Sequence, residues 1–378
     1  MASQVLDCPM MATESEFRRR IDLVRARMSD RTIDTLLVSV GRDMPYLIGY
    51  EAMPLERLTM LVIPMDGPST LVVPALEEPR VSPMPGLFDI IPWGETTEPL
   101  DIVAGLCGDD RRIAVGDQMW ARFLVGLVER LPGVTWLRSS DVVGPARMVK
   151  GPQEVSALRA AAQAVDRIAE RLQTGQIPLI GRSEAEVSAD LSAQIVAEGH
   201  ERVNFAIVAA GPNAASPHHH PGDRIIGPNE IVLCDFGGTM NGYCSDITRC
   251  VVTGDIDAEI GAAWAALQQS QEAGVQAGVV GSACAEVDRA ARSVLVDAGY
   301  GEYFVHRTGH GIGMEEHEEP YMVEGAEALI EAGHAFSVEP GIYVPGRWGM
   351  RLEDIVVATL DGPVRLNEAS HELFSVRA

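Results

Sequence analysis

The chain contains no apolar run approaching the 18 or more residues that a membrane span requires. Its first twenty residues, MASQVLDCPMMATESEFRRR, lack the continuous apolar core of a signal peptide. Both absences predict a cytoplasmic protein. Basic residues are scarce: 30 Lys and Arg stand against 54 Asp and Glu, a net charge of −24 over 378 residues. Such a field repels phosphate backbones and anionic lipid surfaces, so neither nucleic acid nor membrane is an expected partner. The six cysteines, Cys8, Cys107, Cys234, Cys244, Cys250 and Cys284, include no CxxC pair. Scattered in this way they suggest neither a disulfide framework nor a thiolate zinc site, and they read as reduced core thiols.

What is present is an ordinary globular composition. Hydrophobic residues make up 46% and charged residues 22%, which excludes both intrinsic disorder and a fibrous repeat for the whole chain. The length fits two compact domains or one large one, enough to bury a core without staples.

The first part reads as a mixed α/β unit. An amphipathic helix from Thr13 to about Met28 precedes short apolar strands at Ile33 to Val40, Leu58 to Pro64, Thr70 to Pro74, Asp89 to Trp93 and Arg112 to Gly116. A further helix is expected around Trp120 to Leu131. The polar residues clustered here, Arg42, Asp43, Glu56 and Arg57, read as a solvated rim.

Near Met148 the texture changes, and Lys150-Gly151-Pro152 marks a loop whose proline suits a first helical position. A domain boundary is placed there. Val155, Leu158, Val165, Ile168 and Leu172 then recur at helical spacing until Gly175. Ser183 and Glu186 form a capping box ahead of a second helix that ends at Gly199. Strands are expected at Asn204 to Ala210, Glu230 to Gly237 and Tyr243 to Thr253. The order then recurs, with helices at about Ala258 to Ala273 and Ala283 to Ala298 and strands between Ala335 and Leu360. This αα-then-ββ block, used twice, predicts two pseudo-symmetric halves with a cleft between their sheets.

Asn241-Gly242 is the strongest hairpin signal in the chain, because a type I′ turn needs two residues that accept positive φ. Counting outwards, residue 240 pairs with 243 and Gly237 with Asp246. Asp235 then shares a face with Gly237, which makes Asp235 and Asp246 diagonal neighbours about 7–8 Å apart. A second hairpin, turning around Gly346, brings Glu339 opposite Glu353. Four acids are thereby expected on strands, and His310 sits among the glycines of Gly309-His310-Gly311-Ile312-Gly313. Singly, each acid is an ordinary exposed or ion-paired carboxylate. Together they repel one another strongly unless cations neutralise them, and two divalent ions cancel the charge of four carboxylates. Oxygen ligands with one imidazole favour Mn²⁺, with Co²⁺, Zn²⁺ or Fe²⁺ as alternatives. A metal pair of this kind is equipment for hydrolysis.

The ordered series Asp235-Phe236-Gly237-Gly238, Ser245-Asp246-Ile247-Thr248-Arg249, His306-Arg307-Thr308-Gly309-His310-Gly311-Ile312-Gly313, Val338-Glu339-Pro340-Gly341-Ile342-Tyr343 and Met350-Arg351-Leu352-Glu353-Asp354 closely resembles the M24 metallopeptidases of the pita-bread fold. Within them it is most similar to the Xaa-Pro dipeptidases, or prolidases, and to aminopeptidase P. The resemblance covers the whole second domain. The first domain matches the family's creatinase-like N-terminal domain in length and α/β texture. The implied fold class is α+β: a smaller α/β creatinase-like domain over residues 1–148, then a pita-bread catalytic domain with pseudo-two-fold halves over residues 149–378.

By that resemblance Asp235 chelates one ion with both oxygens, Asp246 and Glu353 bridge the pair, His310 binds one ion and Glu339 the other. Glu339 also matches the proton acceptor for the metal-bound nucleophile. His218, seventeen residues before Asp235, and His317, seven after His310, match histidines that grip the substrate and stabilise the tetrahedral intermediate. His306 matches a further cleft histidine, and Tyr343 and Arg351 match residues supporting the ligand shell. Without the family, His218 is merely the first of three histidines before Pro221, as expected of a surface cluster. Cys244, two residues before Asp246, is expected to face the cleft on a regular strand, in a packing role.

The activity implied is hydrolysis of Xaa-Pro dipeptides by a metal-bridging hydroxide, with two ions, foremost Mn²⁺, a small peptide as partner, and a homodimer as the assembly. Aminopeptidase P and an ectoine-hydrolase-like enzyme acting on a non-peptide C–N bond are the alternatives; a metal-free binding module is the remote one. The short step of fourteen positions from Glu339 to Glu353 favours the small prokaryotic prolidases. The N-terminal domain argues against methionine aminopeptidase, and the full ligand set against creatinase.

Overall fold

The computed structural model describes residues 12–377, which leaves Cys8 outside the described residues. The remaining cysteines are buried, and no disulfide joins the described residues. No described helix is long and apolar enough to cross a membrane. Packing divides the chain between Arg147 and Met148 into two compact units.

In the first unit α1 (Glu14–Asp30) starts at Thr13, whose hydroxyl accepts the Glu16 N–H. The strands β1 (Thr35–Val38), β2 (Met60–Pro64), β3 (Ser69–Pro74), β4 (Phe88–Trp93), β5 (Arg112–Val115) and β6 (Thr135–Arg138) form one mixed sheet in the order β4-β3-β2-β1-β5-β6. The helices α2 (Asp43–Ile48), α3 (Pro99–Cys107) and α4 (Ala121–Arg130) complete the unit. Three elements differ from the sequence expectation. The edge strand β6 is four residues long and mostly half-exposed, so it carries no periodic signal. The six-residue α2 is likewise too short for one. α3 is announced only by Pro99 at its first turn and the Glu98 carboxylate accepting the Leu100 N–H. Asp43 is not a solvated rim residue: it accepts Arg147 Nη1 at 2.8 Å and Ser139 Oγ at 3.1 Å.

The short helix α5 (Gly144–Met148) spans the division. In the second unit α6 (Pro152–Gln173) and α7 (Glu184–Ala197) precede β7 (Arg202–Ala210), β8 (Ile231–Met240), β9 (Tyr243–Cys244) and β10 (Ile247–Val252). The expected capping box is present, with Ser183 N donating to Glu186 Oε2 at 2.8 Å and Glu186 N to Ser183 Oγ at 3.2 Å. Val187, Leu191 and Ile195 are fully buried against Phe236 and Ile247. The second half repeats the order: α8 (Ala258–Ala277), α9 (Cys284–Asp297), then β11 (Gly309–Gly311), β12 (Glu318–Met322), β13 (Ala335–Val338), β14 (Gly341–Val344), β15 (Trp348–Arg351), β16 (Asp354–Thr359) and β17 (Gly362–Arg365). A last strand, β18 (Phe374–Ser375), returns to pair with β10. One sheet runs β18-β10-β8-β7, with β9 on β8; the other runs β12-β11-β13-β16-β17; β14 and β15 form a separate ribbon.

Two hairpin registers place the acids. Asn241 and Gly242 have φ of 51° and 77°, as the type I′ turn requires. From Met240–Tyr243 at the tip to Ile231–Val252 at the base, the pairing keeps one register on both sides of residues 245 and 246. The second hairpin likewise holds one register, from Val344–Trp348 at the tip to Ala335–Val357. It is interrupted at residues 339–340 and 352–353.

Candidate metal centre

Asp235 alone of the four acids lies within a strand, opposite Thr248 in the middle of the first sheet. Asp246, Glu339 and Glu353 occupy the gaps between β9 and β10, β13 and β14, and β15 and β16, rather than the strands expected for them. A gap frees the backbone from strict alternation, so that each side chain can be aimed inward while the pairing resumes beyond it. His310 is carried by the short β11. A Cβ on Gly309 would lie 1.9 Å from Ser337 O and one on Gly311 2.3 Å from Glu319 O, so only glycine permits this backbone approach on either side of His310.

The side chains converge. Asp246, His310 and Glu353, all buried, each offer a ligand atom within 4.8 Å of the others. His310 Nε2 lies 3.3 Å from Glu339 Oε1 and 3.8 Å from Asp246 Oδ2. Asp235 accepts Arg351 Nη2 on Oδ2 at 2.5 Å, whereas its Oδ1 is buried with no hydrogen-bond partner among the described residues. Arg351 also donates to the Tyr343 hydroxyl at 2.6 Å and to Thr248 Oγ1 at 3.1 Å, and Thr248 donates to Glu353 Oε2 at 2.7 Å.

The histidine tautomers follow from acceptors that can only accept. His306 Nδ1 is 2.7 Å from Arg307 O and must donate to it, which leaves Nε2 to accept the Tyr343 hydroxyl proton at 2.8 Å. Burial holds the His306 pKa down, in keeping with that neutral ring. His310 Nδ1 likewise faces Gly311 O at 3.1 Å and donates to it, which turns Nε2 toward carboxylate oxygens. Nε2 can stand among these oxygens only with a proton on it or a cation between them.

The carboxylates show the same strain. Burial, then the nearby Glu353, Asp235 and Glu339, push Asp246 well above the usual range; burial, then Glu339 and Asp235, do the same to Glu353. Burial also raises Asp235, against the pull of Arg351. For Glu339 burial is opposed first by the His310 hydrogen bond and also by the Arg351 guanidinium, and the balance brings it down to about 2. One guanidinium thus serves a group of four acids. The residues fit divalent ions: oxygen donors with one imidazole, an orphaned buried oxygen, and acids whose ionisation costs free energy without a cation.

The remaining expected residues are less enclosed. His317 packs its ring 3.9 Å, centroid to centroid, from His310 and is otherwise exposed. Loss of water on the packed face, with His310, Arg307 and His218 nearby, brings its pKa down to about 4. His218 is exposed on the turn after residues 211–215, within electrostatic reach of His317. Cys244 ends β9, and its buried Sγ packs 3.5 Å from Asn204 Nδ2 and 3.6 Å from Met314 O.

Three residues were missed by sequence reasoning. Thr248 links Arg351 to Glu353; it stands two residues beyond Asp246 in the same hairpin, which was a usable signal. Ser337, two before Glu339, accepts His310 N at 3.0 Å and lies 3.2 Å from Glu339 Oε1. Glu184, fully buried, accepts Ala210 N, Asn213 Nδ2 and His219 Nε2, and so anchors the loop that presents His218. No local pattern announces it.

Comparison with known proteins agrees with this geometry. Residues 156–360 match the model of metallopeptidase family M24, and residues 20–149 match the creatinase/prolidase N-terminal domain. The chain belongs to metallopeptidase family M24. Among M24 relatives, the probable dipeptidase PepE of Mycobacterium bovis is 42% identical over 365 residues, covering 95% of this chain and 96% of that one. The Xaa-Pro dipeptidase of Lactobacillus delbrueckii subsp. lactis is 33% identical, covering 93% and 98%. A prolidase from Thermococcus sibiricus superposes with a TM-score of 0.90 at 33% identity, covering 95% and 99%. The expected architecture, a creatinase-type N-terminal domain before a pita-bread M24 domain, is therefore the one found, and M24 membership implies divalent metal ions.

Proposed function

We propose that this M24 metallopeptidase is an Xaa-Pro dipeptidase working with two divalent ions, foremost Mn²⁺. The observation that carries the reading is the meeting of the buried Asp246 and Glu353 and the half-buried Glu339 at His310, with the buried Asp235 held by Arg351 and its Oδ1 left without a hydrogen-bond partner among the described residues. In this proposal Asp235, Asp246, His310, Glu339 and Glu353 would hold the ions. When bound, the pair supplies a nucleophile from water at neutral pH and polarises the scissile carbonyl.

The chain's own residues do the rest. Glu339, kept ionised among His310, His306 and Arg351, takes up the proton released as attack proceeds. His317 and His218 hold the substrate and offer N–H groups to the developing oxyanion. Arg351, with Tyr343 and His306 behind it, fixes the direction of Asp235. Residues 149–378 are assigned the chemistry, with 1–148 as a separate creatinase-like domain.

The proline preference is supported by the Lactobacillus and Thermococcus relatives, named as an Xaa-Pro dipeptidase and a prolidase. The short span from Glu339 to Glu353 favours a dipeptidase over aminopeptidase P. The deciding experiment loads metal-free protein with Mn²⁺, Co²⁺ or Zn²⁺ and compares hydrolysis of Ala-Pro, Ala-Pro-Ala, a Met-initiated tripeptide and ectoine. Preference for Ala-Pro is expected. Turnover of Ala-Pro-Ala alone would make the protein an aminopeptidase P, turnover of ectoine alone would end the peptidase reading, and inertness with every ion would favour a binding module.

A further inference from the structure

Lys150 and Glu154 stand four residues apart at the entry to α6, and each reaches a different sheet. Lys150 Nζ lies 2.6 Å from Glu318 Oε1, the two side chains being 1% and 8% exposed. Glu318 opens β12 directly after His317. Glu154 accepts the Tyr243 hydroxyl on Oε1 at 2.8 Å and the Gly151 N–H on Oε2 at 2.9 Å. Tyr243 opens β9, three residues before Asp246.

The two sheets touch at the same level. Cys244 N donates to Gly313 O at 2.8 Å, and a Cβ on Gly313 would lie 2.6 Å from Glu318 Oε1. The contacts therefore close a ring from Lys150 through Glu318, Gly313, Cys244 and Tyr243 back to Glu154. Three side chains of the site hang from this ring: Asp246 two residues beyond Cys244, His310 three before Gly313, and His317 one before Glu318.

We propose that Lys150 and Glu154 are positioning residues, the two arms of a brace that sets the separation between the chain segment carrying Asp246 and the turn carrying His310 and His317. The proposal rests on reading that cluster as the catalytic centre. A buried ion pair contributes little net stability compared with an apolar pair of the same volume. What Lys150 and Glu318 add is direction, because Nζ and Oε1 must meet at hydrogen-bond distance. The Tyr243 hydroxyl imposes the same condition on the other sheet. A displacement of about 1 Å between ligands or reacting groups is enough to cost roughly a hundredfold in rate.

The brace is tested on the metal-loaded full-length protein with Lys150→Met combined with Glu318→Leu, which removes both charges of the pair together, with Tyr243→Phe, which removes one hydroxyl, with all three substitutions together, and with Glu154→Gln, which keeps an acceptor for Tyr243. Each broken arm is expected to lower kcat and to weaken Mn²⁺ binding by calorimetry, both by about tenfold or more, with the melting temperature nearly unchanged. Glu154→Gln should retain most of both. The triple variant should fall no further than the worse arm alone, since one broken arm already releases the separation. Values within twofold of the wild type, losses that multiply in the triple variant, or losses that only track unfolding would overturn the brace. If the wild type cleaves no peptide the functional reading fails, and Mn²⁺ affinity still decides the brace: unchanged in the broken arms, it is wrong.

Discussion

Arg351 and Asp235 meet at 2.5 Å through Nη2 and Oδ2, while Asp235 Oδ1 stays buried with no hydrogen-bond partner among the described residues. The guanidinium fixes the carboxylate plane and uses only one of its oxygens, so the other is held ready in a fixed direction.

Arg351→Lys tests that role. A lysine ammonium is a compact charge without the planar fork, and it cannot address Asp235, Tyr343 and Thr248 at once. Steady-state kinetics on Ala-Pro should show kcat/KM lower by about 10- to 100-fold, with less metal retained per chain.

Asp246→Asn and Glu353→Gln should act in opposite directions on activity and on the stability of the metal-free protein. Each removes a ligand, so activity should fall about 100-fold or more and bound metal should drop. Each also removes one member of a mutually repelling group, so the chelated variant should melt higher than the chelated wild type. Parallel melting curves and metal analysis read both; a chelated variant that melts lower would contradict the crowding of charge.

The pH dependence should reverse with metal content. Asp235, Asp246 and Glu353 have pKa values raised in the folded state, first by burial, so they bind protons more tightly folded than unfolded. Their effect favours the fold as pH falls from neutrality toward the unfolded value of about 4 and disfavours it as pH rises through the raised values. Glu339 and Asp354, both brought down to about 2 despite burial, the first chiefly by the His310 hydrogen bond and the second by the Arg249 guanidinium, contribute fully above about pH 4 and lose their contribution only below it. With chelator, the melting temperature should therefore rise from pH 8 to pH 5.5. With saturating Mn²⁺ it should fall over the same range, because protons compete for the ligands. At pH 7.5 chelation should remove about 2.7 kcal/mol where the ion stood at a hundred times its Kd.

Glu184→Ala addresses the loop rather than the ions. It leaves Ala210 N, Asn213 Nδ2 and His219 Nε2 without their buried acceptor, which should destabilise the protein by about 2–4 kcal/mol in urea unfolding. Since residues 211–222 present His218, KM for Ala-Pro should rise more than kcat falls.

Much of the site could be read in advance because it is written in β-register. A two-residue turn at Asn241-Gly242 and a tip at Gly346 fix which residues oppose one another, and both counts agree with the observed pairing. The interruptions that hold Asp246, Glu339 and Glu353 were not legible, because a gap that resumes in register leaves no trace in the count. Glu184 and His219 escaped because their contact joins residues 35 apart across a loop. Asp43 looked like a rim because its partner Arg147 lies 104 residues away. In the first unit the short α2 and β6 gave too few residues for any period to show.

The ribbon that carries Glu339 and Glu353 keeps its pairing on both sides of the interruption. Lengthening the tip at residues 345–347 would leave both acids where they are. One residue added to a single arm, between tip and gap, would slide that acid past its counterpart and turn alternate side chains over. Variation in loop size is therefore affordable at the tip, whereas the arms can change only in step with each other.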